Sequence, residues 1–296
     1  MNTPQQNETL KYFKDKAQDW KRRATGTDQA RVNVIAERNG FVSLVIENRA
    51  RTQRVLDVGC GSGDLVCAIA KSGIEAVGVD FSDEMIGIAN RQKHQEGLNH
   101  AHFLHGSIFD VNLTNQEFDV ISANGFIEYI SYEELDKFLD LAQRLLSPGG
   151  SLVLGSRNRL FNAVSNNVFT LDEIQSGAIS LLLNEAVVLS AADGLADLPS
   201  IATAPLQSPN TKHPQTGVAV TTRYQFTPAQ LCKLIDSHGL TPKELFPIHV
   251  HGVPPAFKEK HPDVHTTISN LLHGYAHGSL ALVPYASSFM IHATKG

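Results

Sequence analysis

The run Val55 to Asp64, VLDVGCGSGD, constrains this chain more than any other stretch. A β-branched segment ends in Asp57, and glycines follow at 59, 61 and 63. This describes a strand turning sharply into a helix, with no side chains where a ligand would lie. A second apolar run, AVGVD, ends in Asp80, so an acid stands at a second strand tip. A nicotinamide site wants G-x-G-x-x-G, with glycine at 64, where this chain has Asp64.

Around this turn the pattern alternates. Strands are expected at 53–58, 75–80, 101–105, 117–123 and 149–155, and helices at 63–72, 83–95 and 131–146. Ser131 with Glu134 makes a capping box, and Pro148-Gly149-Gly150 makes a turn. Such alternation means βαβ units and a parallel sheet. Upstream, Leu10, Phe13, Ala17 and Trp20 form one apolar helical stripe, and residues 27–48 give a second helix. Residues 157–224 break the rhythm, with one helix starting at Thr170 and Glu173 and a long loop after it. The pattern resumes at Thr227-Pro228, a cap with proline at the first helical position, and that helix ends at Gly239. A strand follows at 243–250, then a second irregular stretch at 252–284, then a final strand, SSFMIHAT.

The expected fold is therefore α/β: a seven-stranded, mostly parallel sheet with helices on both faces. Residues 1–50 supply covering helices, 51–156 the ligand-binding half and 225–296 the other half of the core. Ligands of such sheets bind outside the carboxyl ends of the strands, so residues 157–224 and 252–284 are the natural substrate cover. Net charge is −5, and the one basic cluster, Lys21 to Arg23, reads as a solvated helix face. Nucleic acid is disfavoured as a partner on that balance. Cys60, Cys67 and Cys232 fit neither a disulfide framework nor a zinc site. No apolar run approaches ~18 residues and the first residues are polar, so a cytoplasmic protein is expected.

The glycine spacing with its two acids resembles the cofactor loop of class I S-adenosylmethionine-dependent methyltransferases. Phe118-Asp119-Val120-Ile121 and LLSPGGSLVL are similar to later motifs of that family, and the resemblance covers residues 53–156. It implies a Rossmann-like fold and S-adenosylmethionine as cofactor. Gly59, Cys60, Gly61 and Gly63 then bring backbone within reach of the ligand and open the next helix N-terminus toward it. Asp57 orients the loop or pairs with the cofactor's ammonium group, and Asp80 suits the ribose hydroxyls. By the same resemblance Phe81 and Met85 cover the nucleoside, Ser107 and Ile108 flank adenine, and Asn124-Gly125-Phe126 face the methyl. Ser107 stands where the family commonly has an acid. The N-terminal Tyr12, Phe13, Ala17 and Trp20 are similar to the helix preceding the fold in ubiquinone-biosynthesis-type methyltransferases.

Methyl transfer to a hydroxyl needs alignment, exclusion of water and a general base. Among thirteen histidines, His249 and His251 are the best-placed candidates, two apart at the carboxyl end of a strand and thus on one face. That spacing also suits two metal ligands, but no completing carboxylates are identifiable, so no metal is expected. Some relatives carry Glu-His after the fourth strand; here it is Glu128-Tyr129, which removes that base and leaves Tyr129 to hydrogen-bond a substrate oxygen. Arg157, Asn158, Arg223 and Tyr224 are candidate substrate contacts, with structural ion pairing as the competing role for the arginines.

These features favour methyl transfer to a small-molecule acceptor, with oxygen as the acceptor atom. The alternatives are a tRNA or nucleoside methyltransferase, or a protein that binds the cofactor without turnover. The apolar run Ile179 to Val188 is either a substrate wall or a face for a homodimer.

Overall fold

Each apolar run around the glycine turn becomes a strand in the computed structural model, which describes residues 32–113, 116–196, 198–207 and 224–296. The Leu10-to-Trp20 stripe, the basic cluster and Arg223 lie outside the described residues. The chain enters through α1 (Val34–Glu47), capped by the Asn33 side chain, which accepts from the Ala36 amide at 3.0 Å. Then come β1 (Arg54–Val58), α2 (Asp64–Lys71), β2 (Glu75–Asp80), α3 (Asp83–Glu96), β3 (Ala101–His105) and β4 (Phe118–Ala123). After a 3₁₀ turn at Ile127–Tyr129 follow α4 (Tyr132–Leu145) and β5 (Leu146–Arg157). The Ser131–Glu134 capping box forms as expected.

The sheet has seven strands in the order β3-β2-β1-β4-β5-β7-β6, where β6 is Leu240–Val250 and β7 is Ala286–Lys295. Strands β1 to β5 run parallel, while β7 is antiparallel to both of its neighbours. Alternate side chains feed two cores, because successive strand residues point to opposite faces. Val55, Val120, Val153 and Met290 pack with α1 and α2 on one face. Leu56, Ile121, Leu152 and Ile291 pack with α4 on the other. Burial on both sides explains why these strands read as continuous apolar runs.

The two irregular stretches hold more helix than the sequence signals predict. Residues 157–224 contain α5 (Leu160–Val164), α6 (Thr170–Gln175) and α7 (Ile179–Ala191) instead of one helix. Gly177, with φ of 73°, makes the break between α6 and α7. A buried ion pair ties this segment down: Arg159 donates to Glu173 through Nε and Nη2, at 2.9 and 2.7 Å. Beyond α8 (Pro228–Ser237), residues 252–284 carry α9 (Pro255–Lys258), α10 (Pro262–His273) and a 3₁₀ turn at Leu280–Tyr285. The N-terminal proline of α10 is a helix-start signal.

Candidate functional site

A cavity opens at the carboxyl ends of β1, β2 and β4, where the sheet's strand order reverses. Its wall includes Asp57, Gly59, Cys60, Gly61, Asp80, Phe81, Met85, Ser107, Ile108, Asn124, Gly125, Phe126 and Tyr129. Twelve of the thirteen expected cofactor contacts thus meet in one place. The exception is Gly63, which is absent from the lining and has a packing reason to be glycine. A Cβ there would stand 2.6 Å from the Phe103 ring and 2.7 Å from the Ala89 methyl, at a φ of 78°. Gly61 is different: its φ is 52°, and a Cβ would meet nothing within 4 Å. The space beside it is open.

The turn's amides are largely spent inside the protein, contrary to the expectation that they would face the ligand. Gly59 and Cys60 donate to the Val79 carbonyl at 2.8 and 3.1 Å, and Gly63 donates to the Cys60 carbonyl at 3.0 Å. The Gly61 amide donates to Asp80 Oδ2 at 2.9 Å. Asp80 Oδ1 accepts the Ser82 amide at 2.9 Å. One carboxylate therefore locks the turn after β1 to the turn after β2. It still has lone pairs for two more donors.

Asp57 is buried, and its Oδ1 has no hydrogen-bond partner among the described residues. Burial pushes its carboxyl up to about 7, the Ser122 hydroxyl opposes the rise, and the Asp80 charge adds to it. Asp80 is also raised, first by burial, with the Ser82 and Gly61 amides holding it down. A buried carboxylate with one oxygen unpaired at the wall of a cavity can receive a cationic or hydroxylated ligand.

The far wall carries a charge cluster in which Arg157 makes an ion pair, its competing role in the sequence, and to which Arg38 is added from α1. Glu128 is buried between Arg157 Nε at 2.9 Å and Arg38 Nη1 at 3.9 Å. Arg38, Ile35 and Asn39 all come from α1 and line the cavity. Arg38 Nη2 also donates to Ser288 Oγ at 3.0 Å.

The remaining candidates lie outside the cavity lining. Asn158 is engaged with backbone: its amide donates to the carbonyls of Val283 at 2.6 Å and Ala286 at 2.9 Å. Tyr224 is buried against Tyr132, with ring centroids 4.3 Å apart. His249 and His251 meet each other and His265, which α10 supplies. No sequence signal singles out His265, which falls within the irregular stretch expected at 252–284.

Comparison with known proteins agrees with this geometry. Residues 55–150 match the model of the methyltransferase domain family. A ubiquinone biosynthesis O-methyltransferase of Coxiella burnetii is 31% identical over 159 residues, covering 53% of this chain and 64% of that protein. The aligned part is thus 64% of that relative's length. Magnesium protoporphyrin IX methyltransferase (ChlM) from Synechocystis PCC 6803, solved with bound SAM, superposes with a TM-score of 0.56. It shares 13% identity, over 100% of this chain and 99% of that one. A SAM-dependent methyltransferase of Methanosarcina mazei superposes at 0.52 with 18% identity, over 85% of this chain and 96% of that one. At those identities the likeness is one of fold. Among the described residues no helix is long and apolar enough to cross a membrane.

Proposed function

We propose that this chain, whose residues 55–150 match the methyltransferase domain family, is a class I S-adenosylmethionine-dependent methyltransferase that methylates an oxygen of a small molecule. One observation carries the reading: the orphaned Asp57, the doubly anchored Asp80 and the Asn124–Phe126 turn all face one cavity. S-adenosylmethionine, when bound, supplies a methyl group on a sulfonium that departs as a neutral thioether. Asp80 accepts from the ribose hydroxyls with the lone pairs its two amide contacts leave. Asp57 takes the ammonium group, and that cation draws it into its ionised form.

The acceptor's chemistry falls to the far wall. Tyr129 contributes a hydroxyl at the methyl end, suited to fixing an acceptor oxygen in line. Arg157 acts through Glu128, orienting that carboxylate instead of reaching the substrate itself. The apolar lining from Ile35, Leu65, Phe126 and Ile130 excludes water from the transfer. The oxygen preference is supported by the O-methylating relatives and by an acidic balance that does not suit polymers.

The test is transfer of labelled methyl from S-adenosylmethionine to a panel of phenols, hydroxybenzoates and sugar alcohols, read by product mass. Methylation of one class identifies the acceptor. Transfer to tRNA with none to the panel would overturn the small-molecule reading.

A further inference from the structure

Three imidazoles converge beyond the end of β6. His249 Nε2 lies 2.9 Å from His265 Nε2, and one ligating nitrogen from each of His249, His251 and His265 falls within 4.8 Å of the others. The ring centroids are 4.3 to 5.2 Å apart, and the Phe161 ring closes one side at 4.5 Å from His251. We propose that this trio binds a divalent transition metal of the zinc class, one nitrogen per histidine, with the fourth position left for water or a substrate oxygen. The inference stands apart from the methyl-transfer reading.

The first argument is unmet hydrogen bonding. Neither ring nitrogen of His251 has a partner among the described residues, nor does Nδ1 of His265, a residue 1% exposed. Buried polar nitrogens are ordinarily paired, so nitrogens left unpaired in a tight group need a reason. A metal supplies one at His251, where a neutral imidazole offers it a lone pair, whereas His265, ligating through Nε2, keeps Nδ1 as its N–H.

The second argument is orientation. Ser287 Oγ lies 3.2 Å from His249 Nδ1. If Nδ1–H donates to that hydroxyl, the Nε2 lone pair of His249 is turned toward His265, the outer-shell arrangement that fixes a metal-binding tautomer. Tetrahedral zinc at about 2.0–2.1 Å from two imidazole nitrogens separates them by about 3.3 Å. The 2.9 Å gap needs to widen by about 0.4 Å, and the widest separation in the trio, up to 4.8 Å, needs to close by about 1.5 Å.

The third argument is backbone strain. His249 has a φ of 54°, rare for a non-glycine residue. Its amide donates to Glu37 Oε2 at 2.6 Å, which holds the strained residue in place. Such strain concentrates where a side chain must be aimed. The positive charge of Lys258 is felt at all three imidazoles and opposes a dication, which sets the affinity below that of a site without it. The missing carboxylate is no obstacle, since three histidines suffice for a zinc site with an open position.

The test uses the full-length chain without an affinity tag, stripped with chelator and titrated with Zn2+ and Co2+. One equivalent of zinc should survive desalting, and cobalt should give the visible absorption of a four-coordinate site. His251→Ala and His265→Ala should each reduce zinc at least tenfold and abolish the cobalt band, while His261→Ala retains both. If either alanine variant fails to show native circular dichroism, His265→Asn is judged by the same two readouts. A wild-type chain with only trace zinc and no cobalt band, or metal that persists in the trio variants, would overturn the site.

Discussion

Asp80 Oδ2 accepts the Gly61 amide across a gap of nineteen residues, so the acid at the tip of β2 shapes the glycine turn at the tip of β1. The contact joins two elements that a cofactor must bridge. On the proposed reading Asp80 serves the loop and the ligand together. Asp80→Ala should weaken S-adenosylmethionine binding by about 10–100-fold, the worth of hydrogen bonds to a charged acceptor. Isothermal titration against wild type reads the effect, and unchanged affinity would remove the ribose role. Asp80→Asn should lose less, because its amide oxygen can keep one of the two backbone contacts.

Asp57 makes donor binding depend on pH. Its carboxyl, pushed up to about 7 by burial, is neutral in much of the free protein below that value. A cationic ammonium favours the ionised form, so protons and cofactor compete. Affinity should fall as pH drops below about 7, approaching tenfold per unit, and level off above it. Asp57→Asn should bind more weakly and show a flatter profile. The stability sign is opposite. An acid with a raised folded-state value binds its proton more tightly when folded, so its contribution is full below about 4 and is lost as pH climbs through 7. The ligand-free protein should therefore lose stability through this group over the range in which the donor gains affinity.

Much of this site was legible in the sequence because its physics is local. The glycines, Asp57 and Asp80 sit at strand ends whose period and punctuation mark them, and Thr227-Pro228 announces its own helix. What escaped was set by tertiary placement. Arg38 reaches the cavity because α1 packs over β5 and β7, a contact between elements far apart in sequence. His265 joins His249 at the end of β6 and His251 just beyond it only because α10 folds back on that strand. The same limit explains Asn158, whose amide is taken by one carbonyl of the 3₁₀ turn at Leu280–Tyr285 and one at the start of β7.

Two glycines of one motif should fail differently. Gly63→Ala puts a methyl group against Phe103 and Ala89 at a φ of 78°, adding overpacking to left-handed strain. The cost should be about 2–4 kcal/mol, read from chemical denaturation. Gly61→Ala meets open space, so it should cost only about 1–2 kcal/mol of backbone strain. It should nonetheless impair donor binding more than its stability loss suggests, since the added methyl projects beside the cavity. Equal ratios of binding loss to stability loss in the two variants would contradict this division.

The Glu128 cluster allows positioning to be separated from binding. Glu128→Ala leaves Arg157 and Arg38 without their shared carboxylate in a largely desolvated wall, so stability should drop by about 2–4 kcal/mol. Arg157, about a quarter exposed, retains access to water, so Arg157→Ala should cost less, about 1 kcal/mol. If Arg157 acts through Glu128, the double variant should be no worse than Glu128→Ala alone in both stability and turnover. Donor affinity should stay within about threefold in all three, because the two acids proposed to hold the cofactor, Asp57 and Asp80, lie on β1 and β2 and are not part of the Glu128 cluster. A double-mutant cycle with calorimetric and kinetic readouts decides it: strict additivity would mean that Arg157 has a separate task, such as holding an acidic acceptor directly.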